Sequence, residues 1–250
     1  MSLCEVHWKS TVLGQHVSMN VLLPDSGTPP FPTLYLLHGL SDDHSIWLRR
    51  TRIEVYALAY PMIIVMPQGF RGFYTNNDAG PAYATYMAEE LRTYIERNFP
   101  ARAKRESRCV GGLSMGGYGA LRLALGYPHL FASATSHSGA IRSGERMAPR
   151  EGGPLSLAEF HRIFGQNPSG SDHDLAALAR KAKAFGNLPR LRIDCGVDDV
   201  LIEDNRRFHV ELEQLGIPHE YEEFAGGHNW DYWDVHVRDA LQFHARAMGI

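Results

Sequence analysis

The feature that most constrains this chain is the run Gly111-Gly112-Leu113-Ser114-Met115-Gly116-Gly117-Tyr118-Gly119-Ala120, a serine held between glycines where an apolar stretch gives way to a helical pattern. Gly112-Leu113-Ser114-Met115-Gly116 fits G-x-S-x-G, the signature of a nucleophile elbow. A β-carbon two residues to either side of the serine would collide with the neighbouring strand or helix, so the turn requires glycine at both places. The flanks agree with a strand–turn–helix unit. Residues 107–113 read as a short buried strand, and Ala120, Leu121, Ala124 and Leu125 recur at helical spacing within a helix expected from Met115 to Gly126. Such a turn lifts the serine hydroxyl clear of the sheet and sets it at a helix N-terminus, where free N–H groups and the helix dipole favour developing negative charge.

The rest of the chain repeats the alternation that the elbow implies. Residues 11–13 and 16–23, separated by Gly14-Gln15, read as an antiparallel edge hairpin. Continuous apolar strands are expected at 33–37 and 62–66, with a helix over 47–59 between them. An irregular loop covers 69–81, and Tyr83, Tyr86, Met87, Leu91, Tyr94, Ile95 and Phe99 form one helical stripe that reads as core. Strands follow at 131–138, 190–195 and 218–224, and helices at 203–215 and 230–248. Together these predict an α/β protein, a mainly parallel sheet of roughly eight strands flanked by helices. The segment 139–188 is long for a plain connection and carries short helical patterns at 155–164 and 175–185, so it reads as a cap or lid insertion within a single domain over 1–250.

Composition removes several function classes. Hydrophobic residues make up 44% and charged residues 21%, which excludes a disordered or fibrous chain. The net charge of -3, with no Lys/Arg block, leaves nucleic acid without an electrostatic footprint. The apolar stretch 55–66 is too short for a bilayer and is interrupted by Pro61, so no membrane span is expected. The first ten residues contain Glu5, His7 and Lys9 and do not resemble a signal peptide, which points to a cytoplasmic protein. Three cysteines cannot all pair, and Cys109 and Cys195 fall in expected strands, as buried free thiols do. Edge strands and hydrophobic loops permit a homo-oligomer.

A serine hydroxyl is a poor nucleophile until a base can take its proton, and the base needs a carboxylate to fix its tautomer. In sheets carrying this elbow the order is Ser, then Asp or Glu, then His, each at a strand's C-terminal end. Of the 13 histidines, five follow the Asp198-Asp199 loop. His209, His236 and His244 lie inside expected helices, as surface or half-buried side chains, and His219 begins a strand. Only His228, after Gly226-Gly227, sits in a strand-to-helix loop, which makes it the candidate base. For the acid, Asp194 lies within a strand and Asp204 at a helix start, while Asp198 and Asp199 both end a strand. Oxyanion donors are expected from the N–H of Met115, after the serine, and the N–H of Leu40 in the loop His38-Gly39-Leu40. His38 is expected to hold that loop by side-chain hydrogen bonds. Neither Asp42-Asp43-His44 nor His228 with Asp231 and Asp234 matches a metal-ligand spacing, so neither a metal nor a cofactor is expected.

With Leu37-His38-Gly39, the elbow, Cys195-Gly196-Val197-Asp198-Asp199 and Gly226-Gly227-His228-Asn229-Trp230 in order, the chain resembles the esterase D family of α/β-hydrolases. The likeness is nearest to its bacterial tributyrin-esterase-like branch, which Leu40-Ser41-Asp42-Asp43-His44-Ser45-Ile46-Trp47 and Phe73-Tyr74-Thr75-Asn76 also resemble. The resemblance implies an α/β-hydrolase fold and hydrolysis of short-chain carboxylic esters, small-molecule substrates, with Ser114, Asp199 and His228 in the catalytic positions. It favours Asp199 over Asp198. S-formylglutathione hydrolases, acetyl and feruloyl esterases and mycolyl-transferring relatives share the scaffold, so a thioesterase would use the same residues. A non-catalytic binding scaffold need keep none of them.

Overall fold

The computed structural model describes residues 1–144, 147–149 and 152–250. Eight strands among these residues form one sheet: β1 (Ser2–Ser10), β2 (Gln15–Leu23), β3 (Thr33–Leu37), β4 (Ile63–Pro67), β5 (Arg108–Leu113), β6 (Ser133–His137), β7 (Arg190–Gly196) and β8 (His219–Phe224). Their spatial order is β1-β2-β4-β3-β5-β6-β7-β8. β1 pairs with β2, and β2 with β4, in antiparallel fashion, and every other neighbouring pair is parallel.

Alternation along the central strands divides the core into two layers. Leu34, Leu36, Ile64 and Met66 pack with Trp47 of α1 (Ile46–Arg50), Ile53 of α2 (Ile53–Ala57) and Val237 and Leu241 of α9 (Trp230–Met248). Tyr35, Leu37, Ile63 and Val65 share the other layer with the 83–98 helix. That helix comprises α3 (Tyr83–Thr85), a π-helical turn (Tyr86–Leu91) and α4 (Arg92–Asn98). The same layer holds α5 (Met115–Gly126), α6 (Leu157–Phe164), α7 (Leu175–Phe185) and α8 (Ile202–Gln214). Period-two side chains covered on both faces are what make these strands read as unbroken apolar runs, and each fully buried Leu or Ile contributes roughly 1.5–3 kcal/mol.

Two expectations at the sheet edge and the first crossover are corrected. The hairpin is longer than expected: residues 11–14 are its turn, and its first arm is β1, nine residues long. The overlooked signal is the alternation of half-buried Cys4, Val6 and Trp8 with exposed Glu5, His7 and Lys9. The single helix expected over 47–59 is two, because Thr51 turns extended at φ −135° and its hydroxyl bonds the Trp47 carbonyl at 2.6 Å, stopping the first. His244 and His236, expected as surface or half-buried side chains, are both buried. His244 lies wholly inside, its two ring nitrogens at 2.8 and 3.0 Å from the hydroxyls of Ser133 and Thr135.

The 139–188 segment divides by position. α7 packs against α5 and α8 as the crossover between β6 and β7. Residues 139–142 and 152–154 pass the C-terminal ends of the strands, while 145, 146, 150 and 151 lie outside the described residues. Cys4, Cys109 and Cys195 are free.

Candidate active site

Ser114 is one of the non-glycine residues whose backbone takes a positive φ. Its φ of 52° and ψ of −115° place a non-glycine residue in a conformation that costs on the order of 1–3 kcal/mol, between the last residue of β5 and the first of α5. Three backbone bonds hold it there. Its N–H donates to the His137 carbonyl at 2.9 Å, and its carbonyl accepts from Tyr118 at 3.1 Å and Ala140 at 2.8 Å. The glycine requirement is steric: a β-carbon at Gly116 would lie 2.5 Å from the Leu37 carbonyl oxygen, and one at Gly112 would lie 2.6 Å from the Gly116 backbone.

The Ser114 hydroxyl lies 3.0 Å from His228 Nε2. On the other side of the ring, Nδ1 lies 2.9 and 3.0 Å from the two Asp199 oxygens. With the proton on Nδ1, the imidazole donates to the carboxylate and leaves Nε2 free to accept from the serine. His228 sits in the loop between β8 and α9, where the Trp233 ring meets it edge-on at 4.9 Å. Asp199 follows β7, fully buried, and also accepts the Leu201 N–H at 2.8 Å. Burial pushes the Asp199 carboxyl up, but hydrogen bonds from His228, Leu201 and Ser138 outweigh it and hold the group below the ordinary carboxylate value. Asp198 is exposed and takes no part in this chain of bonds.

His38 is built into the scaffold. Its Nδ1 lies 2.7 Å from the Gly39 carbonyl and its Nε2 accepts the Gly69 N–H at 2.9 Å. Burial lowers it to about 4, so the ring is neutral and locks the loop after β3 to the loop after β4. Ser114, His228, Leu40 and Met115 all line a cleft of about 790 Å³, whose other walls include Trp230, Ile141 and Gly152 to Pro154. Among the described residues, no group of three or more His, Cys, Asp or Glu side chains could hold a metal. Asp43 instead binds the Ser45 N–H and hydroxyl, and Asp234 the Arg52 N–H and the Tyr56 hydroxyl. No helix among the described residues is long and apolar enough to cross a membrane.

Sequence reasoning missed three contributors. Ser138 hydrogen-bonds Asp199 and receives Trp233 Nε1–H at 3.2 Å. Asp42 lines the cleft, its carboxyl raised by burial despite the Gly39 N–H beside it. Arg71 bridges two loops at the rim. Ser138 and Arg71 carry no local motif and act through partners distant in the chain, whereas Asp42 meets Gly39 only three residues back and its place at the cleft depends on the fold of that loop.

The Esterase family model matches residues 10–244, nearly the whole chain. The chain belongs to the Esterase family. The acetyl esterase of Caldicellulosiruptor saccharolyticus is 32% identical over 97% of this chain and 98% of its own. Among solved structures, the fluorophosphonate-binding serine hydrolase FphF of Staphylococcus aureus superposes with a TM-score of 0.88 at 31% identity, covering 97% of this chain and 98% of that one. The S-formylglutathione hydrolase FrmB of the same organism gives 0.86 at 31% identity, with the same coverage. This esterase therefore has the α/β-hydrolase fold, is esterase D-like, and is a carboxylic ester hydrolase.

Proposed function

We propose that this esterase hydrolyses short-chain carboxylic esters by acyl transfer through Ser114, His228 and Asp199. The observation that carries the reading is the unbroken chain of bonds from the Ser114 hydroxyl through His228 to Asp199, with the hydroxyl opening into a cleft. Ser114 Oγ attacks the ester carbonyl carbon as His228 Nε2 takes its proton. The oxyanion collapses, the C–O bond to the alcohol breaks, and His228 returns the proton to the leaving oxygen. Water then repeats the sequence on the acyl-enzyme and releases the acid. Asp199 stabilises the imidazolium and keeps the proton of the resting ring on Nδ1.

The oxyanion donors in this reading are the N–H groups of Met115 and Leu40. Met115 is the first residue of α5, so its N–H has no partner within the helix. The carbonyl of Gly39 points toward His38 Nδ1 and the Asp42 N–H. In a planar trans peptide the N–H of the next residue points the opposite way, which turns the Leu40 N–H away from His38. Leu40 itself lines the cleft beside Ser114. The likeness to an acetyl esterase supports a short acyl group, and residues 139–142 and 152–154 of the proposed cap segment would shape its surroundings.

Ser114→Ala tests the assignment. It abolishes hydrolysis of p-nitrophenyl acetate and butyrate and labelling by a fluorophosphonate while leaving the fold intact; turnover at the wild-type rate refutes it. Rates on S-formylglutathione measured beside these esters decide between ester and thioester.

A further inference from the structure

Three separate stretches of chain meet at the Arg71 guanidinium. Its Nε and Nη2 donate to the two oxygens of Glu159 at 2.7 and 2.9 Å, a bidentate fork. Nη2 also reaches the Pro154 carbonyl at 3.2 Å, and Nη1 donates to the Ser41 hydroxyl at 2.6 Å. Glu159 stands in the first turn of α6, where its own N–H is capped by Ser156. Pro154 belongs to the cleft wall, and Ser41 directly follows Leu40. Ser41 has a φ of 70°, in the left-handed region that a serine does not adopt unaided.

We propose that Arg71 is a positioning residue with two simultaneous duties. Through Ser41 it holds the loop in the strained conformation that aims the Leu40 N–H into the cleft. Through Glu159 and Pro154 it pins the 152–154 wall and so sets the size of ester admitted. One guanidinium thus couples oxyanion stabilisation to the width of the cleft. Lysine is no substitute, because an ammonium is a point donor without the planar fork that meets both carboxylate oxygens and Ser41 together. The Arg71 side chain is 41% exposed, so the pair adds little to global stability and its removal is felt chiefly in geometry. The inference rests on the assignment of Ser114 and Leu40 given above.

The two duties separate by mutation. Ser41→Ala frees only the loop, and Glu159→Gln loosens only the wall. Steady-state kinetics on p-nitrophenyl acetate and on a bulky 2-naphthyl ester, with the melting temperature of each variant, read them out. Ser41→Ala lowers kcat on both esters by a similar factor, about tenfold, with KM held within about threefold, because misaiming one donor loses part of the 10²–10³ such a donor is worth. Glu159→Gln raises the bulky-to-small rate ratio at least about fivefold and leaves kcat on acetate nearly unchanged, as expected when only a steric wall moves. Arg71→Met does both, and Arg71→Lys does not restore either. Should Arg71→Met fail to fold, the two single-duty variants carry the test. The proposal is overturned if Arg71→Met leaves kcat and the ratio within twofold of wild type, or if Ser41→Ala and Glu159→Gln give the same pattern. Fluorophosphonate labelling of the wild type keeps the two claims apart: an unlabelled Ser114 defeats the catalytic assignment, whereas a labelled enzyme indifferent to these substitutions defeats the role of Arg71 alone.

Discussion

Replacing Asp199 by Asn changes one atom type at a buried point of the site, and the structure dictates the consequence. The two carboxylate oxygens accept from His228 Nδ1, the Leu201 N–H and the Ser138 hydroxyl, so every neighbour is a donor. An asparagine supplies one oxygen and one NH2. The NH2 cannot face a donor, and turned toward His228 it forces the ring proton onto Nε2. That nitrogen, 3.0 Å from the Ser114 hydroxyl, then holds a proton and accepts none. Loss of the correct tautomer in a serine triad lowers kcat by about 10⁴, or ~5.4 kcal/mol at 1.36 kcal/mol per factor of ten. Stopped-assay hydrolysis of p-nitrophenyl butyrate, with circular dichroism to show that the fold survives, measures it. Asp198→Asn is the matched control, since that exposed carboxylate is outside the bonded chain, and it stays within about twofold of wild type as surface substitutions do. If Asp199→Asn keeps more than a tenth of kcat, or if Asp198→Asn is the damaging change, the proposed role of Asp199 is wrong.

Other outcomes follow from the same geometry. Gly116→Ala drives a β-carbon to 2.5 Å from the Leu37 carbonyl oxygen and 2.7 Å from that of His38, both backbone atoms, and destabilises by about 3 kcal/mol or more in urea unfolding; a change under 1 kcal/mol contradicts the steric account. Burial lowers His38 to about 4 and His244 to about 3 from an ordinary 6.5, so both stay neutral in the folded chain while the unfolded chain takes up protons below that value. Stability accordingly falls as pH drops below about 6.5, with a slope near pH 5 of roughly 2–3 kcal/mol per unit from these two groups, continuing to about 4 for His38 and about 3 for His244. His244→Gln should remove about half of that slope in denaturation curves taken from pH 7 to 4.5, and an unchanged slope would exclude His244 as a source. Trp233→Phe keeps a ring against His228 but deletes the bond to Ser138, and lowers kcat modestly, about two- to tenfold, with KM little changed; an unaltered kcat shows that Ser138 needs no such support.

Some of the site was readable locally and some was not, and the difference has a physical cause. The elbow helix begins at Met115 and ends at Gly126, as expected, because the sterics that demand Gly112 and Gly116 act over four residues of chain. His228 stood out because a strand-to-helix loop entered through two glycines is a local pattern. β1 is faint in the sequence because a half-buried edge strand leaves only a weak alternation, and the break at Thr51 leaves no trace there because a hydroxyl bonding back to Trp47 competes with helix without changing the apolar pattern. Arg71 and Glu159 lie 88 residues apart, so nothing near either predicts the other.

By itself the sequence determined the alternation of strand and helix, the placement of a serine on a sharp glycine-flanked turn, and the absence of any basic block or long apolar span, all consequences of forces acting between near neighbours. Local pattern left two adjacent carboxylates, Asp198 and Asp199, equivalent at the end of one strand, and only the family resemblance favoured Asp199. Only the tertiary structure decided which of them faces the imidazole 29 residues further on, buried it among donors, and brought that ring to a hydroxyl 114 positions away. Such choices depend on how separate loops cross one rim of the sheet, and no spacing along a single chain encodes a distance through space.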